Sequence, residues 1–196
     1  MRVTTLKYII ALATFALASC TTPTARPSDT FDRLATLCGK AYEGRIVSPP
    51  VPADASFVGK LLVMHVRSCS PTTIRIPFHV GDDHSRTWVI TRTANGLRLK
   101  HDHRHRDGSE DKLTQYGGDS TTQRTANRQT FPADPFTKAL LIREGNTAGA
   151  ANIWAIELEG PTFAYELRRP GRFFRVEFDL TRPVAPPSAP WGSSLR

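Results

Sequence analysis

The sequence predicts an all-β protein, an antiparallel meander closing into a barrel of about eight to ten strands. Three observations carry that expectation. Apolar residues recur with period two over 40–48, 57–67, 73–80, 86–94, 97–105, 121–131, 150–158, 162–169 and 172–180. Turn pairs such as Asn95-Gly96 and Pro170-Gly171 separate neighbouring runs. Fifteen Pro and thirteen Gly in 196 residues argue against a helical bundle. Closing the meander would remove its exposed edges.

Composition narrows the class. Hydrophobic residues make up 39% and charged residues 22%, which excludes global disorder. The formal net charge is +8, but the basic residues are spread along the chain without interleaved aromatics, so no nucleic-acid partner is expected. No apolar run reaches the roughly 18 residues of a membrane span. The start of the chain reads as an address. Arg2 and Lys7 form a positive region, and Tyr8 to Leu17 is a ten-residue apolar stretch of signal-peptide length. Leu17-Ala18-Ser19-Cys20 follows. It resembles the lipobox of bacterial lipoproteins, which implies cleavage before Cys20 and acyl chains, palmitate among them, on Cys20. A plain secretory signal is the other reading. Thr21 in the next position favours, by the same analogy, an outer-membrane site facing the periplasm. The expected organisation is a signal over 1–19, a tether over 20–30, a folded domain over 31–181 and a disordered Pro-rich tail over 182–196.

With Cys20 acylated, Cys38 and Cys69 remain. Two thiols in an oxidising compartment usually pair, and the loop closed would contribute about 3 kcal/mol. Buried free thiols are the alternative. Two short helices interrupt the strands. Phe31, Leu34 and Leu37 share a face over 29–37 and Gly39 ends it. In 134–145, Asp134 can N-cap, Pro135 suits the first helical position and Gly145 terminates.

The middle hairpin is the best specified. A two-residue type I′ turn at Asn95-Gly96 pairs Arg92 with Leu99, Ile90 with His101 and Trp88 with His103. One face then carries Trp88, Ile90, Arg92, Leu97, Leu99, His101, His103 and His105. The other carries Thr87, Thr91, Arg98, Lys100, Asp102 and Arg104 and belongs in water. Phe78, Tyr165 and Trp154 point inward by the same alternation. The succession of a short helix, a first strand following Gly39 and a meander resembles the lipocalin-like (calycin) barrels, which implies an interior ligand cavity. Gly39-Lys40-Ala41 stands where those barrels carry Gly-x-Trp. His101 to Gly118 also resembles a segment of uncharacterised secreted proteobacterial proteins, which implies a location and no mechanism.

Three functional readings follow. In the first, the barrel binds a small amphipathic or anionic ligand among Phe78, Trp88, Ile90, His101, His103 and Tyr165, with Arg92 at its polar head, because a guanidinium inside a barrel needs an anionic partner. In the second, His101 and His103 share a strand face, with Cα atoms about 6.7 Å apart, and hold a divalent transition metal with Glu110, Asp111 or His65. In the third, the protein is a structural lipoprotein whose tail makes contacts. No Gly-x-Ser-x-Gly, HExxH or phosphate-binding glycine loop occurs, so no catalytic residue is nominated.

Overall fold

The computed structural model describes Met1 and residues 30–121, 125 and 127–193. The signal, the lipobox with Cys20 and the tether as far as Asp29 lie outside the described residues. Among those described, no helix is long and apolar enough to cross a membrane.

The fold is all-β. Its strands are β1 (Ala41–Ile46), β2 (Leu62–His65), β3 (Ser68–Cys69), β4 (Thr73–Val80), β5 (Asp83–Thr93), β6 (Gly96–His103), β7 (Tyr116–Asp119), β8 (Arg128–Pro132), β9 (Ile153–Glu159), β10 (Thr162–Arg169) and β11 (Arg172–Val184). They form one antiparallel sheet in the order β7-β6-β5-β4-β2-β1-β11-β10-β9-β8, with β3 beside β4. Two helices accompany it, α1 (Thr30–Ala35) and α2 (Pro135–Arg143).

The sheet curls into a nearly closed barrel, and its seam lies between β7 and β8. Thr121 donates its backbone N–H to the Thr130 carbonyl at 3.0 Å. Asp134 donates its own to the Gly117 carbonyl at 3.0 Å. Thr137 of α2 clasps Gly117, donating its hydroxyl to the carbonyl and accepting the N–H, each at 2.8 Å. The seam can close because Gly117 and Gly118 lack side chains. A Cβ on Gly117, at φ +149°, would lie 1.9 Å from the Leu99 carbonyl oxygen, and one on Gly118 would lie 1.8 Å from that of Pro132. The helix that supplies Thr137 is capped as its sequence suggests, since the Asp134 side chain accepts the Thr137 N–H at 2.8 Å.

At one end of the barrel α1 acts as a plug, its Phe31 and Leu34 buried in the core. The Cys38–Cys69 disulfide ties the segment after this plug to β3. The loop it closes restricts the unfolded chain. Replacing both cysteines by serine should therefore lower unfolding stability by about 3 kcal/mol in a denaturant titration.

The central hairpin corrects the expected register. Arg92 faces Leu97, Ile90 faces Leu99, Trp88 faces His101 and Arg86 faces His103. The bend falls on Ala94-Asn95, one residue early. Neither residue takes the positive φ that a type I′ turn needs, and Gly96, at φ +146°, opens the next strand instead. The slip amounts to two residues across the pair, an even number, so each side chain keeps its predicted face.

Strand extents also differ from the periodicity. Over 57–67 only Leu62–His65 pairs in β2, because Pro52–Asp54 forms a 3₁₀ turn and the chain to Leu61 folds over the barrel mouth. β7 falls outside every predicted run, and β11 extends to Val184, past the expected domain end. Residues 185–193 then cross the outer wall, where Trp191 donates its backbone N–H to the His84 carbonyl at 3.1 Å. Thr87 and Asp102, assigned to water, are buried beside a groove bordered by Pro190 to Ser193. Asp102 there accepts hydrogen bonds from Arg75 at 2.5 Å and Arg104 at 2.9 Å.

The outer face of β8 to β11 carries a second charged cluster. Glu166 is 2% exposed. It accepts from Arg128 at 2.6 Å, Arg168 at 3.1 Å and Arg175 at 2.5 Å. Register builds the cluster, because Glu166 sits opposite Arg175 and Arg128 opposite Glu157. Burial would raise the Glu166 pKa, but the guanidinium hydrogen bonds outweigh it and hold the carboxyl at about 2.

Candidate functional site

The end of the barrel opposite α1 holds a cavity of about 270 Å³. It forms among inward-facing residues of β5, β6, β10 and β11, with Leu141 of α2 on its border. Half of the residues around it are rings. Phe78 stacks on Trp88 with centroids 4.7 Å apart, and Trp88 stacks on Tyr165 at 4.3 Å. On the facing side His101 stacks on Tyr116 at 4.5 Å, with Trp154 tilted against both. Phe57, carried by the segment after the 3₁₀ turn, lies over the mouth against Phe174 at 4.8 Å.

The polar groups of these walls bond to one another. His101 Nδ1 donates to the Tyr116 carbonyl at 3.1 Å, since a carbonyl can only accept. That leaves Nε2 to accept the Tyr165 hydroxyl proton at 2.7 Å. The Tyr116 hydroxyl and His103 Nε2 share a hydrogen bond of 3.2 Å. Burial pushes His101 down to about 3. Burial, then the Arg86 charge, pushes His103 down to about 4. Burial also lifts Tyr116 to about 12 and Tyr165 well above its usual value. At neutral pH these four histidine and tyrosine side chains are therefore uncharged, and Asp111 is the carboxylate among the lining residues.

Charge is confined to the rim. Arg86 pairs with Asp83 at 2.5 Å and lies over the Phe57 ring. Arg172 pairs with buried Asp54, its Nε at 2.9 Å. Arg169 differs. Its guanidinium reaches only the Asn152 side-chain oxygen, at 3.5 Å, and no carboxylate among the described residues pairs with it. The hairpin through Pro170-Gly171 sets Arg169 directly opposite Arg172, so two guanidiniums share the rim with one carboxylate between them.

Of the residues nominated from sequence, Phe78, Trp88, His101, His103 and Tyr165 line this cavity. Ile90 does not. It is fully buried in the packed core below. Arg92 is a correction. It faces inward by alternation but stands six residues beyond Arg86, about 20 Å along the strand. There it pairs with Asp32 of α1 and lies 4.1 Å over the Phe31 ring, at the plugged end. A cationic group does sit beside the cavity, but Arg169, Arg172 and Arg86 supply it.

The metal reading finds no support in this geometry. Both His101 nitrogens are already engaged. Glu110 pairs with Arg104, and His65 alternates with inward-facing Met64, which places it on the outer side of β2. Among the described residues, no three His, Cys, Asp or Glu side chains gather as a metal would require.

Sequence reasoning missed the rim arginines, Tyr116, Phe57 and Phe174. For Arg169 and Arg172 a signal existed, because they flank a turn and any such turn lies at a barrel end. Phe57 and Tyr116 sit in a loop and in a Gly-rich strand, where alternation carries no information. No protein-family model, curated protein or solved structure matches this chain.

Proposed function

We propose that the protein is a lipid-anchored envelope protein whose barrel binds a small anionic molecule in this cavity. The anchor rests on Cys20 in its lipobox-like context. The binding role rests on one observation, a ring-lined cavity, open at its mouth, with the Arg169 guanidinium that no described carboxylate pairs at its rim. Desolvated cation positions are costly unless an anion completes them, so a half-buried arginine beside an apolar space favours a ligand that brings the charge. The uncharged aromatic rings of the walls suit the apolar part of such a ligand.

Native mass spectrometry after equilibration with a bacterial small-molecule extract tests this. The wild-type protein should retain one small adduct, and Leu113→Trp should not. Leu113 lines the cavity and is only half-buried, so a larger ring fills the space without disturbing the core. An adduct equally abundant on both proteins, or none on either, would overturn the reading.

A further inference from the structure

The dimensions and chemistry of the cavity narrow the ligand further. An engineered cavity of about 150 Å³ lined by apolar side chains holds one benzene. The volume here is about 270 Å³, room for a compact one- or two-ring molecule, whereas a long acyl chain would have to extend out through the open mouth. The walls offer ring faces and edges held in fixed orientations. Trp88 is clamped between Phe78 and Tyr165, and His101 between its two hydrogen bonds and the Tyr116 face. Rigid rings of this kind attract a flat π-system through offset-stacked and edge-to-face contacts, which a flexible chain cannot exploit.

Polar demand is equally restricted. The histidine and tyrosine groups of the walls already bond to one another, so the ring walls offer few free partners to a hydroxyl-rich molecule such as a sugar, and Asp111, Asn146 and Asn152 are the other polar side chains without positive charge in the lining. Arg86 and Arg172 are each held by a carboxylate, and Arg169 alone lacks one. Asp111, the one carboxylate of the lining, lies 3.9 Å from His105, so Arg169 is the lining guanidinium at which an anionic group completes a pair. A planar guanidinium also favours the bidentate geometry of a carboxylate.

We infer that the ligand is a compact aromatic monocarboxylate, its ring system among Trp88, Tyr116, Trp154 and Tyr165 and its carboxylate on Arg169. This inference rests on the cavity-binding reading above and specifies its ligand class. Isothermal titration calorimetry with three probes tests it: indole-3-acetate, its neutral amide indole-3-acetamide, and dodecanoate below its micellar concentration. Indole-3-acetate should bind saturably at one site, the amide at least tenfold more weakly, and dodecanoate without saturation. Arg169→Gln, at a half-exposed rim position, should weaken the acid to the level of the amide and leave the amide unchanged. Dodecanoate binding as tightly as the aromatic acid, or acid and amide binding alike, would overturn the ligand class while the cavity reading stood. No saturable heat from any probe, on protein with an intact cooperative unfolding transition, would remove both.

Discussion

Gly118→Ala is expected to abolish the native barrel. The added Cβ would lie 1.8 Å from the Pro132 carbonyl oxygen and 3.0 Å from its carbon. Both are backbone atoms, so no side chain can swing aside to relieve the overlap. The only response is to separate β7 from the end of β8, which removes the Thr137 clasp on Gly117 and the hydrogen bonds of the seam. A cost above about 4 kcal/mol is expected, a substantial part of the stability of a domain of this size. Gly160→Ala is the control. That glycine, unlike Gly118, has a positive φ, +51°, but nothing lies within 4 Å of the new methyl, so its cost should stay near 1 kcal/mol. Denaturant midpoints of the two variants check this. A Gly118→Ala protein as stable as Gly160→Ala would mean that the seam does not close as described.

Glu166→Ala is expected to be the second most damaging change. The carboxylate is buried among three guanidiniums, and removing it leaves Arg168 without its partner and Arg128 and Arg175 with Glu157 as their one shared carboxylate. Breaking a buried ion cluster from one side costs roughly 3–5 kcal/mol. The same group predicts a pH dependence. Its folded-state pKa, about 2, lies below its value in the unfolded chain, roughly 4.3, so the unfolded chain binds the proton first. The stabilisation it provides is complete above that unfolded value and is lost as pH falls toward 2. His101 acts in an earlier window. Its folded-state pKa, about 3, lies below the 6.5 of a free imidazole, so acid favours the unfolded chain as soon as pH drops below 6.5. At pH 5 this amounts to roughly 2 kcal/mol relative to neutral pH. Thermal midpoints should thus fall from pH 6.5 downward and fall more steeply below pH 4.5, and Glu166→Ala should lose only the second component. A variant curve parallel to wild type through pH 3 would contradict this account.

The faces of the barrel were legible in the sequence because alternation is a strict period. Trp88, Ile90, Leu99, His101, Trp154, Phe163, Tyr165 and Val176 all lie where period two puts them. Alternation says nothing about depth along the barrel axis. Arg92 and Arg86 share a face, and only the structure reveals that one meets the α1 plug and the other the cavity. Register failed for a related reason, because facing survives any even slip and the pattern cannot detect one. Tyr116–Asp119 escaped notice because a Gly-Gly strand has too few side chains to show a period, although that lack of side chains is what lets the seam close. The burial of Thr87 and Asp102 depends on residues a hundred positions away, beyond the reach of any local pattern.

The sheet order has a consequence for how the chain is made. β11 lies between β1 and β10, so the first and last strands are hydrogen-bonded neighbours. Until β11 is in place, β1 and β10 each keep an open flank and the two halves of the sheet meet only at the β7–β8 seam. Premature termination anywhere before residue 172 yields a chain with two sticky edges and no route to closure. Barrel closure therefore ends with a zipping step in which β11 joins β1 to β10, and both flanks stay open to wrong pairing until that step occurs.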